Sequence, residues 1–413
     1  MMESFIARRL YKNEEGERRV SRPAVLIAQI GVALGMAVML LTIAVSFGFK
    51  HEVREKAVGF SSHLHISNYE SAQAYETQPV AADTSFMRVL SNTRHVKHVQ
   101  RYATKPGVFR SDTDFMGYVL KGVGEDYDLS FYSRYLKEGE VPQFSDSIVS
   151  NKILISRAVA DKLQLQVGDK IDSYFLQGAM RVRRYIIAGI YETGFSEYDR
   201  MFVITDLKAV QSLNRWESDQ VTGIELMLDD FGHVEEMNWE LGNLYDRTLD
   251  KYGEQYLVQS VEDINPGLFA WLGVLDMNVW LILALMIGVA AFTMISGLLI
   301  LILERTQFIG VLKALGTCNT SVRKVFLYLA LMIVCRGMLW GNVIGLGLSA
   351  IQKFTHIIPL DPASYYLDCV PIEFNWIFIV AVNVVMFILS ALILILPSQL
   401  ISRISPTKAM RFE

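Results

Sequence analysis

Cysteine is nearly missing from this 413-residue chain. Cys318, Cys335 and Cys369 are its three cysteines, and none falls between Lys50 and Trp271. A disulfide framework is therefore excluded from that long stretch, which must bury its own core. Two catalytic signatures are also absent. Without G-x-x-x-x-G-K-[ST] the chain has no phosphate-cradling loop and does not hydrolyse nucleotides by that route. Without His-Glu-x-x-His it lacks the commonest helical zinc-protease pattern. No internal repeat, low-complexity tract or flexible linker interrupts it.

Charge is the next scarcity, and it is local. Pro23–Phe49, Met277–Leu303 and Phe374–Ser402 carry no charged residue, and Val325–Gln352 is interrupted only by Arg336. As a helix each run reaches roughly 40 Å, more than the ~30 Å hydrocarbon core of a bilayer. Four transmembrane helices follow. With 52% hydrophobic and 20% charged residues and a mean hydropathy of +0.28, the chain is too apolar for a soluble protein and too charged to be all membrane.

Basic residues beside the spans set the orientation. Arg8, Arg9, Lys12, Arg18, Arg19 and Arg22 precede helix 1; Arg305, Lys313, Arg323 and Lys324 lie between helices 2 and 3; Arg403, Lys408 and Arg411 follow helix 4. Positive residues stay inside, so both termini are cytoplasmic and the acidic stretch from Lys50 to Trp271 is outside. Helix 1 is far longer than a signal-peptide core, and Ala44-Val45-Ser46-Phe47-Gly48 lacks a small-x-small cleavage site, so it stays as an anchor.

The expected fold class is an α-helical membrane protein with four transmembrane helices plus a large α/β domain inserted between helices 1 and 2. A cytoplasmic amphipathic N-terminus (1–22) leads into span 1 (23–49), and the external domain with helical stalks covers 50–271. Span 2 (272–303), a cytoplasmic loop (304–322) and span 3 (323–351) follow. An external loop (352–373), span 4 (374–399) and a cytoplasmic tail (400–413) complete the chain.

Within the external domain, strand-like runs are His63–Ile66, Val108–Phe109, Tyr118–Leu120, Lys170–Phe175, Val182–Ile190, Met201–Ile204 and Gly223–Leu228. Helix-like runs are Thr84–Leu90, Ser156–Leu163, Leu207–Leu213 and Val234–Tyr252. Two lobes are expected, one near both stalks and one from about 121 to 220. The stalks themselves follow from helix formers in His51–Val58 and from Asp276, which stands about 42 Å along the axis from Glu304 and hence outside the hydrocarbon.

Chemistry-bearing residues are few. His63/His65 and His95/His98 have spacings that suit a metal, but neither lies near cysteine. Glu192, Glu197 and Asp199 cluster in GIYETGFSEYDRMF, and such acids in a loop read as solvated rather than as an acid/base pair. No Ser-His-Asp arrangement is visible. The residues give no catalytic site, no metal site, no bound cofactor and no nucleic-acid partner.

Packing and coupling residues are more evident. Gly31 and Gly35 in helix 1 read as close helix contacts or as glycines merely common in membrane helices, and Gly341, Gly345 and Gly347 permit close packing of helix 3. Met36, Leu40, Ile43 and Phe47 share one face, which reads as lipid-facing or cavity-lining. Asn278, Asn342 and Asn383 suit polar links between helices. Arg336, about 18 Å into helix 3, reads as a contact to lipid phosphate or a subunit, or as a snorkelling side chain. In ERTQFIGVLKALG (Glu304–Gly316), Phe308, Ile309, Val311, Leu312 and Leu315 fall on one helical stripe, which would rest on the membrane surface or enter a partner's groove.

FIARRLY, IGVALGMAVMLLTIAVSFGFKHEVREK, LQVGDKI, GIYETGFSEYDRMFVITDLKAVQSL, VTGIELMLDD, ERTQFIGVLKALG, LDPASYY with Val370-Pro371, and SPTKAMRFE span nearly the whole chain. With the four-helix layout they resemble the FtsX/MacB (type VII) class of ABC-transporter permeases, within it the LolC/LolE lipoprotein-releasing subfamily. That resemblance implies a bacterial inner-membrane, multi-pass subunit with a periplasmic domain and no enzyme activity of its own. It implies a cytoplasmic ABC ATPase dimer holding ATP and Mg, a second permease subunit, a lipoprotein substrate and a periplasmic carrier.

The family's coupling helix falls on Glu304, Arg305, Phe308, Ile309, Gly310, Leu312, Lys313, Ala314, Leu315 and Gly316, and the Met36/Leu40/Ile43/Phe47 face becomes the lipid contact. One departure stands out. Where LolC-type subunits insert a carrier-binding hook, this chain has only LQGAM between Phe175 and Arg181. An FtsX-like regulator of wall hydrolases and a MacB-like export permease are the alternative readings.

Overall fold

The structure is a computed structural model describing residues 3, 5, 7, 21–72, 77–111, 114–145, 149–177 and 179–399. Most of the expected amphipathic N-terminus and all of the cytoplasmic tail lie outside the described residues. The chain divides into two compact units: Met1–His51 with Trp271–Pro359 and Cys369–Glu413, and Glu52–Ala270 with Leu360–Asp368.

In chain order, α1 (Ser21–Ser61) leads to β1 (Leu64–Asn68), β2 (Val80–Ala81), α2 (Thr84–Ser91), β3 (Val96–Arg110) and β4 (Phe115–Val123). Next come α3 (Ser130–Arg134), β5 (Leu136–Gly139), β6 (Lys152–Ser156), α4 (Arg157–Leu163), β7 (Lys170–Gln177) and β8 (Ala179–Tyr191). They are followed by α5 (Ser196–Met201), β9 (Phe202–Asp206), α6 (Leu207–Asn214), β10 (Gln220–Val221) and β11 (Gly223–Leu228). The α/β part closes with α7 (Val234–Tyr245), β12 (Tyr256–Ser260) and α8 (Val261–Ile264). The last elements are α9 (Pro266–Glu304), α10 (Thr306–Ala314), α11 (Asn319–Thr355), α12 (Pro362–Tyr365) and α13 (Trp376–Ser398).

α1, α9, α11 and α13 are long and apolar enough to cross a membrane. The α/β domain is inserted between the first two of them. α1 and α9 continue past their apolar runs because His51–Val58 and Pro266–Met277 hold no helix-breaking residue after the first turn other than glycine. Just before α9, Ser260 and Asp263 form a reciprocal capping box that opens α8.

One continuous sheet runs β12-β1-β11-β3-β4-β9-β6-β8-β5, with β7 bridging β3 and β8. The two-lobe expectation is corrected by β3. One half of this strand pairs with β11 and the other with β4, so a single strand runs through what the sequence suggests are separate lobes. The core between sheet and helices is built from residues such as Leu64, Ile66, Phe109, Leu120, Ile155, Tyr185 and Leu226. The expected helix Val234–Tyr252 ends at Tyr245, where Asp246 turns its carboxylate back to accept from the Val258 amide at 2.8 Å.

In the membrane unit, small residues bring helices together. A Cβ at Gly31 would stand 2.4 Å from Thr293 Cγ2, and one at Gly35 3.6 Å from Ala290 Cβ, so both face α9. Gly337, Gly341 and Gly345 form one ridge of α11 against Val32, Met36 and Leu40 of α1. Asn342 and Asn383 exchange two amide hydrogen bonds of 2.7 and 3.0 Å between α11 and α13. Asn278 is exposed and takes no part in that pair.

Candidate force-transmission site

The turn between β8 and β9, within GIYETGFSEYDRMF, gathers distant parts of the chain. Gly194 sits at φ +75°, the left-handed region that glycine adopts freely, and Phe195 is thereby turned inward. Phe195 stacks on Tyr198 with centroids 4.8 Å apart and planes 6° from parallel. Phe60, in the last turn of α1, lies 5.0 Å from Tyr198. Tyr366, just after α12, meets Phe195 edge-on at 4.8 Å. The Tyr198 hydroxyl donates to Asn265 Oδ1, immediately before α9. Both stalk helices and the loop joining α11 to α13 therefore converge on two aromatic rings. Each such ring pair adds about 0.5–1.5 kcal/mol beyond area burial.

A polar layer surrounds the rings. Lys56 Nζ donates to the carbonyls of Thr193 and Tyr366. Thr193 in turn donates from Oγ1 to Asp199 Oδ1 at 2.7 Å and from its amide to Oδ2 at 3.2 Å. Asp199 is buried, which corrects the reading of all three loop acids as solvated; Glu192 and Glu197 are exposed as expected.

Burial pushes the Asp199 carboxyl up to about 6, against the hydrogen bonds from Thr193 and the nearby Lys56 charge. A carboxyl raised in the folded state supports folding fully below its ordinary value near 3.8 and loses that support as pH climbs through about 6. Asp199→Asn should therefore remove a pH-dependent stability difference on the order of 2 kcal/mol between pH 4 and 7. His63 and His65, both held down to about 4 by burial, act in the opposite direction over the same range. Being common to parent and variant, they cancel when the two unfolding curves are subtracted. A difference that is flat with pH would refute the assignment.

Beneath the end of α1 lies a buried ion pair. Lys121 of β4 and Glu225 of β11 are 2.6 Å apart, with side chains 3% and 1% exposed. Lys121 also donates to the Phe60 carbonyl at 2.7 Å, satisfying an end group of α1 that has no partner within the helix. Gln100 and Ser62 donate to Glu225 Oε2 at 2.8 and 3.3 Å. Burial opposes the Glu225 charge, yet Lys121, His65 and these hydrogen bonds hold its carboxyl below the ordinary range. Sequence reasoning missed this pair. Its signal is a single charge set among apolar neighbours in each of two strands, YVLKGV and GIELML.

Glu304–Gly316 spans the end of α9 and all of α10, and Gly316 closes the turn at φ +84°. The expected apolar stripe is divided. Ile309 is fully buried in the cluster holding Val322, Val325 and Phe326 of α11, and Leu312 packs against the same cluster. Gly310 is buried and Phe308 half-buried, whereas Val311 and Leu315 are 48% and 78% exposed. Glu304 and Ala314 are exposed; Arg305 and Lys313 are half-buried.

The proposed lipid face divides similarly. Met36 and Leu40 are buried against Gly341 and Gly345, which corrects their reading as lipid-facing. Ile43 and Phe47 instead line an apolar groove of about 460 Å³ among α1, α9 and α13, with Trp280, Leu283 and Phe378. Its charged members are Lys50 and Asp276, which pair with each other. Arg336 is exposed on α11.

His63, His65 and His98, whose spacings suit a metal, take other partners. His63 Nδ1 accepts from the Leu228 amide at 3.1 Å, His65 meets the Tyr102 hydroxyl at 3.3 Å, and His98 meets the Asp126 carbonyl at 2.8 Å. LQGAM lies in a hairpin, Phe175 pairing with Arg181 and Gln177 with Ala179, and Gly178 lies outside the described residues.

Comparison with known families decides the identity. Residues 25–244, more than half of the chain, match the MacB-like periplasmic core domain, and residues 280–406 match the FtsX-like permease C-terminal domain. The chain belongs to the FtsX/MacB class of ABC-transporter permeases. A permease of this class is the membrane subunit of its transporter and is not itself the catalyst.

Among its relatives is the lipoprotein-releasing system transmembrane protein LolC of Xylella fastidiosa, 24% identical over 402 residues, covering 93% of this permease and 92% of that one. The corresponding LolE of Haemophilus influenzae is 21% identical over 404 residues, covering 92% of each. A solved structure, the periplasmic region of MacB from Actinobacillus actinomycetemcomitans, aligns at 13% identity and a TM-score of 0.35, covering 51% of this permease and 94% of that chain.

Proposed function

We infer that this permease extracts outer-membrane-directed lipoproteins from the bacterial inner membrane, driven by a cytoplasmic ATPase dimer that binds ATP and Mg. The observation carrying this reading is the convergence of both stalk helices and the α11–α13 loop on Phe195 and Tyr198. A motion of either stalk cannot leave those rings untouched.

In this scheme both termini are cytoplasmic and the α/β domain is periplasmic. Nucleotide-driven closure of the ATPases presses on Glu304–Gly316, where Val311 and Leu315 offer the outward apolar contact and Ile309 relays the push into α11. The groove at Ile43 and Phe47 suits an acyl chain, with the Lys50–Asp276 pair beside the polar end of the lipid. A second permease subunit, identical or related, completes the transporter. The hairpin at LQGAM leaves carrier capture to that partner or to another surface.

Depletion followed by membrane fractionation tests the substrate class. Mature lipoproteins should accumulate in the inner membrane; normal sorting with a chaining or drug-sensitivity defect would reject the reading. Gly310→Pro tests the coupling segment. A proline inside α10 removes a helical hydrogen bond and costs roughly 3 kcal/mol. Transport-linked ATP turnover should be lost with the complex still assembled, and unchanged turnover would remove the segment from the pathway.

A further inference from the structure

His95, Asp229 and His233 lie outside the force-transmission site and come from two segments, the residue before β3 and the turn between β11 and α7. His95 precedes β3, Asp229 follows β11, and His233 stands directly before α7. His95 Nδ1 is 3.0 Å from Asp229 Oδ2, and His233 Nδ1 is 2.9 Å from Asp229 Oδ1. The two imidazoles stack with centroids 3.7 Å apart and planes 26° from parallel. One ligand atom from each of the three residues lies within 4.8 Å of the others.

The backbone holds these groups in place. His95 sits at φ +63°, its carbonyl accepts from the Asp229 amide at 3.1 Å, and Asp230 closes the turn by accepting from the Gly232 amide at 2.6 Å. Asp229 remains half exposed, so solvent reaches the open side.

We propose that His95, Asp229 and His233 form a binding site for a first-row divalent cation, zinc foremost. Two imidazole nitrogens and one carboxylate oxygen match the preferences of zinc, nickel and copper, whereas calcium and magnesium require more oxygen ligands. Three protein ligands on one side leave a fourth position for water. On binding, each Nδ1 turns its lone pair to the ion, the ring proton moves to Nε2, and the hydrogen bonds to Asp229 give way to coordination.

The site's place in the fold gives the ion a consequence. Phe231, between Asp229 and His233, stacks on Phe269 of α9 at 6.0 Å and 16°, and the Arg54 guanidinium of α1 lies 4.5 Å above its ring. A cation clamping Asp229 and His233 stiffens the turn that touches both stalk helices.

The test uses the full chain, purified in detergent and stripped with chelator, titrated with zinc chloride alone by calorimetry. One zinc per chain is expected. His233→Ala and Asp229→Asn should each weaken binding at least ~10-fold, and His98→Ala should leave it unchanged. Cobalt substitution should give the absorption of a four-coordinate site in the parent and not in His95→Ala. Asp229→Asn keeps the side chain's shape, so it reports on coordination even if a histidine variant folds poorly. Absence of stoichiometric uptake by the parent, or uptake of equal affinity in His233→Ala and Asp229→Asn, overturns the proposal.

Discussion

Replacing Lys121 by methionine is expected to destabilise the α/β domain by about 3–5 kcal/mol, because Glu225 would be left buried without its counter-charge. The loss has a second part: the Phe60 carbonyl at the end of α1 loses its donor as well. Pairing Lys121→Met with Glu225→Leu removes the stranded charge, and most of the stability should return, since a buried ion pair replaced by apolar side chains is often nearly neutral. Recovery should be incomplete by about 1 kcal/mol, the usual cost of an unsatisfied buried carbonyl. Thermal unfolding of the single and double variants measures both parts. A single variant as stable as the parent would mean that the pair does not secure the stalk.

Gly341→Leu should be the most damaging change in the membrane unit. A Cβ at this position would stand 2.6 Å from Met36 Cβ and 2.7 Å from the Ala33 carbonyl, and the backbone oxygen cannot move aside without shifting α1. Overpacking of this kind costs about 1–3 kcal/mol or more for extra methylenes even in a yielding core. Here it also separates α1 from the whole ridge that includes Gly337 and Gly345. Loss of a monodisperse, protease-resistant protein in detergent is the expected result. Gly347, expected to pack closely like Gly341 and Gly345, instead has nothing within 4 Å of its ideal Cβ, so Gly347→Ala should be tolerated. Equal behaviour of Gly341→Leu and Gly347→Ala would refute the ridge as the contact between α1 and α11.

How much of this was legible in the residues depends on the range of the interaction. The four spans follow from the length of uncharged runs, a local property, and Gly223–Leu228 is a strand with the bounds its alternation suggests. β5 escaped because Leu136–Gly139 is short, charged and at the sheet edge, and the helix after Val234 was overextended because the Asp246 bond to Val258 is not a local signal. Gly341 and Gly345 were recognisable as close-packing residues, but which helix they meet was not. Met36 and Leu40 share the Ile43 and Phe47 face only in projection along an isolated helix; in the bundle α11 takes the first two.

The site was the least legible part. Lys121 and Glu225 are 104 residues apart, and Lys56 and Tyr366 are 310 apart. Nothing in the local pattern of either partner names the other. GIYETGFSEYDRMF was visible as the most distinctive stretch, yet its acids suggested solvated chemistry, whereas its rings and the buried Asp199 make it a junction.

In the proposed mechanism a stroke received at the cytoplasmic face reaches the periplasmic domain through this junction. Its most direct test is Phe195→Ala combined with Tyr198→Ala in a complex reconstituted with its ATPase and a lipoprotein in vesicles, measuring ATP turnover and lipoprotein release together. Turnover is expected to stay close to the parent's while release falls at least ~10-fold, a coupling loss of about 1.4 kcal/mol or more. Release at the parental rate, with both rings removed, would contradict it.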